Sequence, residues 1–166
     1  MQNVNNTAYI LLGGNLLDVK QTFEMAIDKI SQGTGMVTAK SALYKSAAWG
    51  FVSDNPFLNQ VIEINTKLSA PNLLTHLLKI EQHLGRVRNP GSNGFSSRII
   101  DIDILYYNAE IYNLENLIIP HYAIKDRMFT LLPLCDLIPN FVHPIIRKTN
   151  TQLMHECDDK NIPIQL

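Results

Sequence analysis

The sequence predicts an α+β fold in a single domain over residues 1–166, with a mainly antiparallel sheet flanked by helices. Three observations predict it. Segments of helical and strand periodicity interleave along the chain. Several connections between strands are shorter than the crossover that parallel neighbours need. No internal repeat, linker or low-complexity tract divides the chain.

The elements follow in order. Residues 8–12 form a short apolar run ending in Gly13-Gly14-Asn15, which predicts a buried strand and then a turn. Over residues 18–30, Val19, Phe23, Ala26, Ile27 and Ile30 recur at helical spacing behind an Asp18 N-cap. Strands are expected over 36–44 and 57–67, joined through a Gly-, Asp-, Asn- and Pro-containing connection at 46–56. A helix over 69–84 is bounded by Ser69, Pro71 in its first turn and Gly85 after its end. A Gly-, Asn- and Ser-rich loop at 86–97 leads into a β-branched strand at 99–107 and a turn at 108–110. An extended piece at 117–120 precedes a helical stretch at 128–137, expected to be interrupted by Pro133.

With 14 Lys+Arg, 15 Asp+Glu and a net charge of -1, the chain lacks the basic excess of a dedicated nucleic-acid surface. No stretch approaches the roughly 20 apolar residues that span a bilayer, and the polar start has no signal-peptide pattern, so a cytoplasmic location is expected. Cys135 and Cys157 are too few for a disulfide framework. Together with His143 and His155 they match no closed zinc spacing.

The strand at 99–107 carries the sharpest chemical signal. Alternation places Ile100, Ile102 and Ile104 on one face and Asp101 and Asp103 on the other, about 6.5 Å apart at Cα. Two like charges projecting together repel, and a divalent cation offsets that repulsion. Magnesium accepts one or two carboxylates and completes its octahedron with water and phosphate oxygens. A solvated strand face is the bland alternative.

Arginine use sharpens the choice. The chain has five arginines; Arg86, Arg88 and Arg98 fall in one segment with Gly91 and Gly94, and Arg127 lies further on. Guanidinium forks match phosphate oxygens better than a lysine point charge does. Glu81 lies within the apolar stripe of Leu73, Leu77, Ile80 and Leu84, so it needs an internal arginine partner or faces a ligand cleft. Phe57 and Phe129 offer rings and Asn59 an amide, a set suited to a flat heteroaromatic compound. Trp49 lies in the long connection as a candidate cover.

These residues resemble the 6-hydroxymethyl-7,8-dihydropterin pyrophosphokinases of folate biosynthesis. The resemblance runs from Ala8-Tyr9-Ile10 and Gly13-Gly14-Asn15 through Phe57-Leu58-Asn59, Glu81 and Gly85-Arg86-Val87-Arg88 to Arg98-Ile-Ile-Asp-Ile-Asp-Ile-Leu105. Pro120-His121-Tyr122 and Arg127-Met128-Phe129 complete it. It implies a ferredoxin-like fold and transfer of pyrophosphate from ATP to the pterin hydroxymethyl group, releasing AMP. It further implies that Asp101 and Asp103 hold two Mg2+ ions and that Arg88 and Arg98 bind phosphates. Glu81 and Arg86 would support the site, with Ile104, His121, Tyr122 and Arg127 at the nucleotide. Phe57 and Phe129 would sandwich the pterin, with Asn59 and the segment Ser46, Ala47, Ala48, Trp49 and Gly50 around its edge. Closure of the 86–97 loop would exclude water. The chain departs from the family pattern at Gly14, where serine is common, and at Ala47, Ala48, Gly94, Ser96 and Asn116. The expected partners are ATP and the pterin, with no nucleic acid, no membrane and a monomeric state. Two rivals are a two-metal nucleotidyltransferase, which would release pyrophosphate, and a ferredoxin-like RNA-binding module.

Overall fold

The computed structural model describes residues 5–87 and 96–166. Its centre is a six-stranded sheet in the order β5 (Asp101–Tyr107), β1 (Asn6–Gly14), β4 (Phe57–Thr66), β3 (Tyr44–Ser46) and β8 (Ile164–Gln165). A sixth strand, β2 (Met36–Lys40), also pairs with β4, and β6 (Tyr112–Leu114) and β7 (Leu117–Ile119) form a separate two-stranded sheet. Every described pairing is antiparallel, as the short connections require. Helices α1 (Val19–Gly33) and α2 (Ala70–His83) follow β1 and β4, and with β2 and β3 pairing successive parts of β4 as one interrupted strand this gives the β-α-β-β-α-β order of a ferredoxin-like core.

Alternation along β1 builds two cores from one strand. Ala8, Ile10 and Leu12 face α1 and α2, where Phe23, Ile30, Leu73 and Leu77 meet Ile62, Ile64, Ile100 and Ile102. Tyr9 and Leu11 face the other way, toward α3 (Met128–Leu137) and α4 (Asn150–Glu156), with Leu131, Leu134 and Leu153. A bulge in β5 leaves Leu105 without a partner, since Ile10 pairs with Ile104 and Tyr9 with Tyr106. That extra residue moves Tyr107 into the α1/α2 core and Tyr106 into the α3/α4 core.

Several expectations change. Gly13 and Gly14 belong to β1 rather than to a turn, because both pair with β4. A Cβ on Gly14 would lie 2.5 Å from the Ile99 carbonyl oxygen, so the backbones approach too closely for a side chain there. The single strand expected at 36–44 is two, β2 and β3, with a break at Ser41 whose hydroxyl accepts from Val61 N at 2.9 Å. Pro133 lies inside a continuous α3 and does not interrupt it. The strand expected from residue 99 begins at Asp101. Asp18 caps α1 through Gln21 N at 3.1 Å, whereas Ser69 occupies the N-cap of α2 without a side-chain cap bond.

Candidate functional site

The register of three central strands assembles the site. Asn59 on β4, Gly13 on β1 and Asp101 on β5 form one row, and Val61, Leu11 and Asp103 form the next. Glycine at position 13 leaves the sheet uncovered between the Asn59 amide and the Asp101 carboxylate. A cavity of 420 Å³ opens over these rows. Its wall on one side is the end of β3 and the segment after it, with Ser46, Ala47, Trp49 and Phe51, together with Phe57. The opposite wall is His121, Tyr122, Arg127 and Phe129, and Arg86 and Arg98 stand at the aspartates.

Asp101 is engaged by both arginines: Arg86 Nη1 meets one carboxylate oxygen and Arg98 Nη1 the other. Arg86 comes from the α2 terminus. Leu84 ends the helix, Gly85 takes φ +93°, and the Arg86 and Gly85 amides donate to the Glu81 and Gln82 carbonyls. This turn returns the guanidinium to its own helix, where Nη1 donates to Glu81 Oε1 at 2.7 Å. The same oxygen accepts Ile102 N at 2.8 Å, so Glu81, 1% exposed, is bonded to the backbone between the two aspartates. Of the two expectations for Glu81, an internal arginine partner is the one found. Burial acts to lower the Arg86 pKa, but the Asp101, Glu81 and Asp103 charges together raise it above its ordinary value.

Asp103 differs from Asp101. Burial pushes its carboxyl up to about 7, and the Asp101 and Glu81 charges add to the rise, while Arg127 and Arg86 oppose it. The side chain still keeps 32% of its surface open. His121 Nε2 lies 4.0 Å from Asp103, and its Nδ1 accepts Ala123 N at 3.2 Å. Burial and the Arg127 charge depress the His121 pKa to about 4, so the ring is neutral at neutral pH and Nε2 carries its proton.

Aromatic rings frame the remaining volume. The Arg127 guanidinium lies 4.6 Å from the Trp49 ring centre, 5.5 Å from Phe129 and 5.9 Å from Tyr122. His121 and Tyr122 stack at 4.7 Å. Phe57 receives the Arg98 guanidinium at 5.7 Å and meets Phe51 edge-on at 5.9 Å. Asn59, buried, donates to Ser46 Oγ at 2.9 Å, which fixes its amide beside β3. Asn15 ties the loops to this frame: its Oδ1 accepts Arg98 N at 2.8 Å, and its Nδ2 donates to Ser97 Oγ at 3.0 Å and the Asn55 carbonyl at 3.3 Å.

Most sequence-selected residues therefore meet in one place. Ala48, Gly50, Glu81 and Ile104 do not line the cavity. Glu81 stands behind the aspartates, and the Ile104 side chain is buried in the α1/α2 core, leaving only its backbone for a ligand. Arg88, with Gly91 and Gly94, lies outside the described residues, as does most of the 86–97 loop. Leu11 and Phe51 line the cavity without having been selected, and Gly13, expected in a turn, lines it as a strand residue. Only the cross-strand register could have marked Leu11.

The sequence profile described as 7,8-dihydro-6-hydroxymethylpterin-pyrophosphokinase (HPPK) matches residues 9–139. A 2-amino-4-hydroxy-6-hydroxymethyldihydropteridine pyrophosphokinase of Haemophilus influenzae is 38% identical over 90% of this chain and 89% of its own length. The Folic acid synthesis protein FOL1 of Dictyostelium discoideum is 34% identical over 90% of this chain, which spans only 22% of that protein. A Plasmodium falciparum HPPK-DHPS crystal structure superposes with a TM-score of 0.75 and 19% identity, over 93% of this chain and 44% of that one. This last likeness concerns the fold alone.

Proposed function

The chain belongs to the 7,8-dihydro-6-hydroxymethylpterin-pyrophosphokinase family, and from that premise we propose that it transfers pyrophosphate from ATP to 6-hydroxymethyl-7,8-dihydropterin. The pterin hydroxymethyl oxygen attacks the β-phosphorus, the bond from that phosphorus to the bridging oxygen on the α-phosphate breaks, and AMP leaves. One observation carries most of the weight. A carboxylate pair, three arginines and a ring of aromatic side chains converge on a single cavity from five separate stretches of sequence.

The donor set suits magnesium. Among the described residues no group of three or more His, Cys, Asp or Glu is arranged to hold an ion alone. Two carboxylates on one strand face, one of them raised in pKa by burial first and by the Asp101 and Glu81 charges second, fit a hard cation that takes its other ligands from water and phosphate. Asp101 and Asp103 would hold the ions, two in number, which supply charge neutralisation on the triphosphate and lower the pKa of the attacking hydroxyl.

The protein's own groups do the rest by positioning and electrostatics. Arg98 and Arg86 exchange Asp101 for phosphate oxygens as nucleotide arrives, a swap between two charge-assisted partners. Arg88 would add a third guanidinium. The neutral His121 donates through Nε2 toward the nucleotide side of the cavity, and Arg127 and Tyr122 hold the nucleotide. Phe57 and Phe129 stack on the pterin while Asn59, oriented by Ser46, reads its edge. We further propose a cytoplasmic monomer acting as one domain, without nucleic-acid or membrane partners. No helix among the described residues is long and apolar enough to cross a membrane.

Product analysis tests the reaction. Purified chain with ATP, Mg2+ and the pterin should yield AMP and the pterin diphosphate in equal amounts. Release of free pyrophosphate with an adenylylated acceptor would replace the proposal with a nucleotidyltransferase. Phe129→Ala should raise the pterin Kd by about tenfold and the ATP Kd far less. Equal losses would remove the stacking role.

A further inference from the structure

Helix α3 begins in an unusual way for a helix that carries ligand-facing groups. Its N-cap is Arg127, with extended backbone at φ −133° and ψ 107°, and no side-chain cap bond from that position. An N-cap side chain ordinarily accepts a hydrogen bond from a first-turn amide, but a guanidinium has only donors. Its positive charge also sits beside the positive end of the helix dipole. The residue that points Arg127 into the cavity is therefore the wrong residue to begin the helix.

The missing acceptor arrives from elsewhere. Asp159 Oδ2 accepts the amide of Met128, the first residue of α3, at 3.1 Å across a separation of 31 residues. Its other oxygen accepts Asn161 N at 3.0 Å, which sets the carboxylate's orientation. The chain then continues past buried Pro163 into β8, which pairs with β3 through Tyr44–Gln165 and Lys45–Ile164. Leu166 N donates to the Leu43 carbonyl at 2.9 Å. Residues 157–166 thus join the start of α3, which bears Arg127 and Phe129, to the strand that ends at Ser46. These are the two walls of the cavity.

We propose that Asp159 is a positioning residue for the site, capping α3 from a distance so that Arg127 is free to face the ligand. Arg127 Nε is buried and has no hydrogen-bond partner among the described residues. Its guanidinium lies over the Trp49, Phe129 and Tyr122 rings with no hydrogen bond at Nε to hold it, so the placement of its backbone decides where the charge lies. That charge sits 4.6 Å from Trp49, the only tryptophan in the chain, which supplies a reporter that needs no substrate.

Asp159→Ala, Asp159→Asn and Arg127→Met would be compared with the full-length wild type. Trp49 emission in ligand-free Asp159→Ala should move toward that of Arg127→Met, while Asp159→Asn, which keeps an oxygen acceptor, stays near wild type. In steady-state assays Asp159→Ala should raise KM for ATP and for the pterin about threefold to tenfold, the scale of a lost helix cap, with kcat within about twofold. A lowered thermal midpoint with unchanged Trp49 emission and unchanged KM values would reduce Asp159 to a structural residue and overturn the proposal. So would failure of Asp159→Asn to recover the alanine defect. The kinetic readings rest on the pyrophosphokinase activity proposed above. A wild-type chain without turnover would sink that activity, whereas active wild type alongside an unaltered Asp159→Ala variant sinks only this inference, and the emission comparison decides it in either case.

Discussion

Replacing Glu81 by alanine removes a carboxylate oxygen on which two donors depend. Ile102 N at 2.8 Å would lose its acceptor at a buried position, and Arg86 Nη1 would lose its 2.7 Å partner while keeping Asp101. An orphaned buried amide costs about 1–3 kcal/mol and a lost charge-assisted hydrogen bond about 1.5–3 kcal/mol. Together these predict a loss of about 3–5 kcal/mol, or roughly 6–20 °C in Tm for a domain of this size. Equilibrium urea unfolding and thermal melting of the ligand-free proteins would measure it. Glu81→Gln, which keeps an oxygen for Ile102 N but not the charge, should lose about half as much. Because Ile102 lies between Asp101 and Asp103, turnover should also fall at temperatures where the variant remains folded. A Glu81→Ala protein within about 0.5 kcal/mol of wild type would refute the idea that this shared oxygen supports the strand and the arginine together.

Three other outcomes are expected. Asp103→Asn should abolish turnover yet match or exceed wild-type Tm near pH 8 without ligands. The folded carboxyl titrates at about 7, above its ordinary 3.8, so ionising it costs stability as pH rises across that interval; a large drop in Tm would contradict this. Gly14→Ser should destabilise by roughly 1–3 kcal/mol, since the new Cβ would sit 2.5 Å from a backbone carbonyl, and an unchanged melting curve would show that β1 and Ile99 can part freely. Burial lowers the His143 pKa from 6.5, and its Nδ1 accepts Ile145 N and Ile146 N at 3.2 Å. The unfolded chain then binds the extra proton first, so stability falls as pH drops below about 6.5; His143→Gln should flatten that slope in pH-dependent denaturation.

Local pattern settled a good deal. The helices at 18–30 and 69–84 were legible because apolar residues repeat at the helical period and bury one face against the sheet. Asp101 and Asp103 were legible as a pair because strand alternation needs no knowledge of the partner strand. The break between β2 and β3 has only a weak local sign, the Ala39-Lys40-Ser41-Ala42 run of low β-propensity, with no Gly or Pro to mark a turn. The split is made by Ser41 bonding to Val61, twenty residues away. Gly13-Gly14-Asn15 misled in a similar way. Glycines suggest a turn in isolation, yet here both continue β1 by pairing with Asn59 and Leu58, and at Gly14 the Ile99 backbone passes too close for a side chain.

From residues alone came the periodicity, the antiparallel character of the sheet, the acidic pair and the arginine-rich segment, since each depends on neighbours within a few positions. Tertiary structure decided which groups share an atom. Glu81 serves both Arg86 and Ile102, Arg98 hangs from Asn15 across 83 residues, and Asp159 caps a helix 31 residues before it. Such pairings carry no local signature, because closing a long loop is a cost met by the whole fold and not by the propensity of either end.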